Sequence, residues 1–158
     1  MNIMAQAQSR MLKILQVNLH KNRERTHGVL NDPDMKEFTT IMIQEPYWSE
    51  YTKETPNHQA WTRYEPTNKE RSPRAVTYVN KAHFPPAQVV QIETPFTDVV
   101  ALQLSPTVSD EPPLLMINVY NPCDESIIQN LHEFLQRMHI NSNSGIILAG
   151  DFNSHHPM

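Results

Sequence analysis

Glycine, cysteine and long apolar runs are all scarce in this 158-residue sequence. The three glycines, Gly28, Gly145 and Gly150, are too few and too scattered to build a Gly-rich phosphate-binding loop. A single cysteine, Cys123, excludes an internal disulfide framework and favours a reducing compartment, so we expect an intracellular protein. No apolar run approaches the ~18 residues that a membrane-spanning helix needs, and the polar first residues do not resemble a targeting signal.

Charge is unevenly distributed along the chain, although the net charge is only −4. Residues 1–27 carry five basic and one acidic residue, and residues 61–83 carry five and two. The intervening and final segments are acidic, with two basic and six acidic residues in 28–60 and one and eight in 84–158. Converging basic segments would suit a polyanion, and the acidic excess could include a cation site. Solvated faces of a neutral domain explain the same pattern, so charge alone leaves both interpretations open.

Hydrophobic patterning predicts eight strands and two helices. Residues 1–11 are predicted to be a loose lead-in, and residues 12–158 a single α/β (α+β) domain built in layers. The helices are expected at residues 21–30 and from Asp124 or Ser126 to about Met138, where apolar residues recur at helical spacing. The predicted strands are residues 12–17, 39–44, 61–64, 74–79, 89–92, 99–104, 114–119 and 146–148.

Four of these strands end on side chains that carry oxygen or amide groups. If the four strands lie side by side and point the same way, those groups converge at one edge. Ordinary turns explain any one of the endings, since Gly, Asp and Asn are turn formers. For the last strand taken alone, an ordinary turn and a functional site are equally good interpretations. All four together favour a functional site. The endings are Asn18, Glu45, Tyr120 with Asn121, and Asp151 with Asn153.

The residue types at these endings favour metal-assisted chemistry on a phosphodiester. Glu45 and Asp151 are hard oxygen donors of the kind that suit Mg²⁺ or Mn²⁺. Such a cation polarises a phosphoryl oxygen, and an amide such as that of Asn153 can donate a hydrogen bond to the same developing charge. Asp151 is suited to orienting or deprotonating the attacking water.

Zinc is the rival metal, because the sequence contains eight histidines. His132 and Glu133 begin like a zinc-protease helix, but Gln136 stands where the second histidine is needed. His155 and His156 are adjacent, so on an extended chain they face opposite ways. The sequence therefore favours an oxygen-ligated metal, and Cys123 is expected to be an inert thiol.

Six segments carry a resemblance to a known family. The chain is similar to the endonuclease/exonuclease/phosphatase superfamily and, within it, resembles the endonuclease domain of non-LTR retrotransposons. The E-P and G-D-F-N blocks are the most specific part of the match. The segments, in chain order, are L-K-I-L-Q-V-N-L-H (12–20), I-M-I-Q-E-P-Y (41–47), R-A-V-T-Y-V (74–79), Asp98 with its strand, I-N-V-Y-N-P (117–122) and I-I-L-A-G-D-F-N-S-H-H-P (146–157).

The resemblance implies a four-layer α-β-β-α sandwich of the DNase-like type, with Mg²⁺ or Mn²⁺ at one end of two packed sheets. It implies that Glu45 is the metal ligand with Asn18 beside it, and that Tyr120 contacts the phosphate. Asp151 and Asn153 would serve the nucleophile and the transition state.

The same resemblance implies a DNA-nicking enzyme that acts in the nucleus and primes reverse transcription. DNA is then the substrate, and a downstream reverse transcriptase region is the expected partner. Arg74, Asn121 and His155 are further candidates for contact with DNA or its phosphates.

The sequence also departs from the family pattern. The family has a later Asp and a closing Ser-Asp-His block, and neither occurs before Met158. We therefore expect a fragment or a degenerate copy that lacks one sheet and its covering helix, exposes an apolar sheet face, and is inactive as the isolated chain. A non-catalytic remnant, or a module that binds nucleic acid or a partner, is the alternative. A phosphatase or RNA-cleaving member shares the same site, but the retrotransposon-like spacing argues against it.

Overall fold

The computed structural model describes residues 11–106, 112–123, 125–138 and 144–153. Within these ranges every predicted strand and both predicted helices are confirmed, and the last strand runs three residues past its predicted end. The elements are β1 (Ile14–Asn18), α1 (Arg23–Asn31), β2 (Thr40–Gln44), β3 (Trp61–Tyr64), β4 (Ala75–Asn80), β5 (Val89–Ile92), β6 (Val99–Leu104), β7 (Leu114–Tyr120), α2 (Glu125–Arg137) and β8 (Gly145–Asp151), with 3₁₀ turns at Pro33–Glu37 and Pro86–Gln88.

The strands form two four-stranded mixed sheets. Sheet 1 has the order β1-β2-β4-β3, in which β1 and β2 are parallel and the other pairs are antiparallel. Sheet 2 has the order β5-β6-β7-β8, in which β7 and β8 are parallel. Each sheet therefore has one parallel pair, and the carboxyl ends of that pair lie at one edge of the sheet together with the start of an antiparallel neighbour.

The two sheets pack face to face around the central core. This core joins Met42 and Val79 of sheet 1 to Leu102 and Met116 of sheet 2, all of them buried. The outer face of sheet 1 is covered by α1 through Leu30, and side chains from α2 cover the outer face of sheet 2. The layers run α-β-β-α, as expected. All five residues of β2 are buried because the strand lies inside its sheet and between two layers, which explains the apolar run Ile41–Ile43 at its centre.

The expected loss of one whole sheet is wrong. Each sheet has four strands, and the inner face of sheet 2 is covered by sheet 1. The eight predicted strands form two sheets. Within each sheet, strands that are far apart in the sequence pair with each other. Edge strand β8 has two exposed apolar side chains, Ile146 and Leu148, which are 50% and 43% exposed, and Ile128 of α2 is 41% exposed. None of the helices in the described ranges has the length and apolar character to cross a membrane.

Candidate active site

One rim of the sandwich collects the polar strand ends of both sheets. β1 and β2 end side by side, since Asn18 pairs with Gln44 in register, and Glu45 follows directly. β7 and β8 end likewise, with Tyr120 opposite Asp151. The two sheets bring these ends within hydrogen-bonding distance of each other. The predicted convergence of the four endings at one edge is therefore observed.

Two side-chain hydrogen bonds join the sheets across this rim. The Asn18 amide donates from Nδ2 to Asp151 Oδ2 at 2.9 Å. The Tyr120 hydroxyl donates to Glu45 Oε1 at 3.0 Å. Each bond links sheet 1 to sheet 2 and fixes one carboxylate oxygen. Asn18, Glu45, Tyr120 and Asp151 therefore form a single cluster, in which Asn18 contacts the Asp151 carboxylate and pairs with Gln44 on the neighbouring strand.

The backbone around Glu45 adopts an uncommon conformation. Glu45 has a φ of 47°, in the left-handed region that costs a non-glycine residue about 1–2 kcal/mol. The cost is offset by neighbours on both sides, because Glu45 N donates to Arg74 O at 2.8 Å and Lys21 N donates to Glu45 O at 2.7 Å. Lys21 is itself left-handed, with a φ of 56°. This turn directs the Glu45 carboxylate to the rim and leaves its side chain 19% exposed.

His20 was not predicted as a site residue, yet it contacts the Glu45 carboxylate. His20 Nδ1 lies 3.3 Å from Glu45 Oε2, and the imidazole is 69% exposed. The residue belongs to the same segment as Asn18, whose Oδ1 accepts the His20 backbone N–H at 2.9 Å. The sequence signal was its position two residues after a polar strand end, a position that the strand pattern alone did not distinguish from a loop.

A buried carboxylate and two arginines support the rim from the side. Asp98, just before β6, is only 2% exposed in its side chain, and it accepts hydrogen bonds from Arg74 at 2.7 and 3.2 Å and from Arg71. The Arg74 guanidinium lies 5.0 Å from the centre of the Tyr120 ring, within cation–π range. Asp98 therefore holds Arg74, and Arg74 holds Tyr120 against Glu45.

This arrangement changes the acidity of two groups. Burial and the hydrogen bond to Glu45 raise the pKa of Tyr120, so its hydroxyl stays protonated and remains a donor at neutral pH. Burial works against the charge on Arg74, but the hydrogen bonds and charge of Asp98 outweigh it and raise the pKa of the guanidinium. The rim therefore keeps one fixed positive charge beside a phenol donor and two carboxylates.

The two remaining candidate amides are bound to backbone atoms. Asn153 Nδ2 donates to Asn121 O at 2.6 Å, and Asn121 Nδ2 donates to Phe152 O at 2.9 Å. Asn153 has a φ of 44°, and its N–H donates to Asp151 Oδ1 at 3.1 Å. In this conformation both amides hold the turn that orients Asp151. His155 and His156 lie outside the described residues.

The residues at the rim fit an oxygen-ligated divalent cation. The donor set contains two carboxylates and an amide, the ligand types that Mg²⁺ accepts when water and phosphate fill its other positions. No group of three His, Cys, Asp or Glu residues suited to a metal occurs within residues 11–106, 112–123, 125–138 and 144–153. The expected metal ligand is Glu45 with Asn18 beside it, and both residues lie at this rim.

Comparison with known proteins establishes the fold. No protein-family model matches the sequence, and no curated protein matches it. Among solved structures, the chain resembles the endonuclease domain of TRAS1, a telomere-specific non-LTR retrotransposon, with a TM-score of 0.62, 16% identity, and coverage of 91% of this chain and 61% of that one. It also resembles a humanized D. rerio TDP2 carrying 14 mutations, with a TM-score of 0.58, 15% identity, and coverage of 92% and 63%.

Both structures have the DNase I-like endonuclease/exonuclease/phosphatase fold, and this chain has it too. The fold expected from the sequence is therefore confirmed. The chain spans less than two thirds of the length of either structure.

Proposed function

We propose that this chain forms the metal and phosphate site of a metal-dependent phosphodiesterase domain of the kind that nicks one strand of DNA. The observation that carries the proposal is the pair of inter-sheet hydrogen bonds, Asn18 to Asp151 and Tyr120 to Glu45, which place two carboxylates, an amide and a phenol at one rim. The likeness of fold to a retrotransposon endonuclease domain supports the choice of DNA as substrate. A downstream reverse transcriptase region and a nuclear location are parts of the same proposal.

The chain's own side chains divide the chemistry between them. A cation bound at Glu45 would supply polarisation of the phosphoryl oxygen and neutralisation of developing charge. Tyr120 presents a protonated hydroxyl beside that position, and Arg74 adds a positive charge over the phenol ring. Asp151 receives hydrogen bonds at both oxygens, from Asn18 and from the Asn153 N–H, so its orientation toward an attacking water is fixed.

The first test is metal binding. Isothermal titration measures Mn²⁺ binding. We expect the binding to be weak because the described rim supplies few charged ligands. Glu45→Gln should lower the affinity by more than the roughly 10–100-fold that loss of an outer-shell partner costs. Glu50→Gln is the matched control, because Glu50 lies five residues along the chain, is 81% exposed and pairs with Lys53. Tight binding that survives Glu45→Gln contradicts the assignment.

The second test is nicking of supercoiled plasmid in Mg²⁺. Residues 1–158 contain no Ser-Asp-His block, and loss of part of a catalytic set costs orders of magnitude in rate, so we expect little or no nicking from this polypeptide. Nicking that disappears in the Glu45→Ala/Asp151→Ala double variant would show that the rim is sufficient for catalysis. Metal and DNA binding without cleavage would favour the non-catalytic nucleic-acid-binding module.

A further inference from the structure

A cavity of about 330 Å³ opens beside the candidate active site, between α1 and the segment that follows Glu45. Its walls include Arg23 and His27 of α1, Tyr47, and parts of residues 49–57. We call it the Tyr47 pocket. Tyr47 is two residues from Glu45, and two residues of extended chain span at most about 7 Å. One wall of the pocket therefore begins close to Glu45 along the chain.

The backbone of Tyr47, whose side chain lines the pocket, is anchored to α1. Tyr47 N donates to Thr26 Oγ1 at 3.2 Å, and Thr26 Oγ1 in turn donates to Asn22 O at 2.8 Å. Thr26 is fully buried, so this anchor is protected from water. Asn22 caps α1 by accepting the Arg25 N–H at 2.9 Å. The start of α1 and the Tyr47 backbone therefore form one rigid unit.

Two further planar groups lie near the Tyr47 ring. The Arg23 guanidinium is 5.9 Å from the ring centre, and the His27 ring centre is 6.4 Å away with an interplanar angle of 45°. Guanidinium and aromatic planes are the groups on which proteins stack unpaired nucleobases, and arginine also contacts phosphates. The composition of this wall is typical of nucleotide recognition rather than of an apolar ligand pocket.

The opposite wall is a short turn whose acidic residue is already paired. Ser49 and Glu54 form an isolated antiparallel bridge, and Ser49 N donates to Glu54 O at 2.9 Å. The Glu54 carboxylate, which also lines the pocket, is 2.9 Å from Arg63 Nη2. Its charge is therefore balanced from outside the pocket, which leaves Arg23 to set the sign of the field inside.

We propose that the Tyr47 pocket binds one nucleobase of the DNA strand, next to the phosphate at the rim, with Tyr47 as the stacking surface and Arg23 as the cationic contact. The inference rests on the proposed function for its position beside a phosphate. The volume lies at the low end of the roughly 300–1,000 Å³ range of small-ligand pockets, which suits a single unstacked nucleotide and not a duplex. The pocket would then select how the strand is presented to Glu45 and Asp151.

The test uses the 158-residue chain and a single-stranded DNA oligonucleotide containing 2-aminopurine, titrated in EDTA and followed by fluorescence. We expect quenching on binding, and Tyr47→Ala should weaken binding at least about fivefold with loss of the quench, while Tyr47→Phe keeps both. Tyr51→Ala is the matched control, because Tyr51 is a nearby tyrosine that is 96% exposed and does not line the pocket. Equal behaviour of the Tyr47→Ala and Tyr51→Ala chains overturns the proposal.

The role of Arg23 is tested separately, by comparison with Arg25 on the same helix, α1. Arg23→Gln should weaken oligonucleotide binding and lower its salt dependence, whereas Arg25→Gln, exposed on α1 but outside the pocket, should change the quench little. Loss of quenching in Tyr47→Ala with Mn²⁺ binding intact supports the pocket, whereas tight Mn²⁺ binding that survives Glu45→Gln counts against the rim alone. If the quench is unchanged in Tyr47→Ala and Arg23→Gln and their melting temperatures are retained, the pocket proposal is refuted and the proposed function is not.

Discussion

Tyr78 shows how strongly the core of sheet 1 controls a single ionisable group. The residue lies in β4, its ring is fully buried, and its hydroxyl donates to Pro56 O at 2.5 Å. Burial raises its pKa to about 12. The hydroxyl also ties the segment before β3 to the sheet at Pro56, and Pro56 is one of the residues that line the Tyr47 pocket. Tyr78, a residue of the core, therefore also supports the shape of the proposed Tyr47 pocket.

We expect this tyrosine to give the protein a steep alkaline stability loss. Because the pKa of Tyr78 is raised on folding, its contribution is fully present below about pH 10 and is lost as the pH rises toward about 12. The change is on the order of 3 kcal/mol across that window, at 1.36 kcal/mol per pKa unit. Urea unfolding at several pH values should show the slope, and Tyr78→Phe should flatten it. Tyr51→Phe, at an exposed position, should not; an equal slope in Tyr78→Phe and the parent refutes the attribution.

At the scale of the single element, β8 depends on one glycine. Gly150 has a φ of 152°, and a Cβ at this position would lie 1.9 Å from Val119 O of the neighbouring strand. No side-chain movement relieves a clash with backbone. The glycine lets β8 stay close to β7 up to the residue before Asp151, so strand pairing delivers the carboxylate directly to the rim.

Gly150→Ala should destabilise the fold by about 3 kcal/mol or more, because the new methyl group must displace backbone. Chemical denaturation measures the effect. Gly145→Ala at the other end of β8 is the control, since its Cβ would meet only the Leu114 Cδ1 atom at 3.1 Å, which can move. Gly28→Ala in α1, where nothing lies within 4 Å, should stabilise by about 0.5–1 kcal/mol. Similar losses at Gly150 and Gly145 contradict the backbone-clash explanation.

At the scale of the whole molecule, a buried polar chain joins the sheets beneath the rim. Gln44 Nε2 donates to Asn118 Oδ1 at 2.6 Å, and Asn118 Nδ2 donates to Val76 O at 2.9 Å. Gln44 and Asn118 are both fully buried. A polar link of this kind in an apolar core is costly when broken, and its directional bonds favour one alignment of the sheets over others.

Asn118→Ala should therefore cost about 2–4 kcal/mol of unfolding free energy, from a lost hydrogen-bond set and from Gln44 left without its acceptor. Asn130→Ala, on the exposed side of α2, should change stability by less than about 0.5 kcal/mol. Thermal and urea denaturation compare the two. A change at Asn118 as small as that at Asn130 would mean that the sheets do not depend on this link.

The exposed apolar strip of β8 is the other property of the whole molecule that can be tested. Ile146 and Leu148 lie on the same face, the outer one, of edge strand β8. An edge strand is the part of a sheet most prone to pairing with another chain. We expect the chain to bind the dye ANS and to self-associate with rising concentration. Ile146→Thr/Leu148→Thr should reduce both, with little loss of stability, because the replaced side chains are half exposed. Light scattering that does not change in the double variant contradicts this assignment.

Local patterns were enough to predict every strand and both helices in the described residues. Alternation in β1 and the continuous apolar run of β2 are properties of neighbouring residues, so they are readable without knowing the partners. The polar endings at Asn18, Glu45 and Asp151 were readable for the same reason. The resemblance to the endonuclease/exonuclease/phosphatase superfamily then supplied the layered architecture that patterning alone left general.

Residue pairs far apart in sequence were beyond these local patterns. Asp98 was noted only as the start of a strand, and its two arginine partners come from residues 24 and 27 positions earlier. The expectation of a missing sheet failed similarly, since eight strands do not by themselves say which four belong together.

By itself, the sequence determined the strands, the helices and the polar residue types at the strand ends, because each depends on side chains a few positions apart. The tertiary structure decided that Asn18 meets Asp151 and that Tyr120 meets Glu45, pairs 133 and 75 positions apart. It also decided that Tyr47, an ordinary loop residue in the sequence, forms the wall of a pocket with α1. Such contacts arise from how two twisted sheets pack and where their ends meet, and that packing is set by the whole core at once.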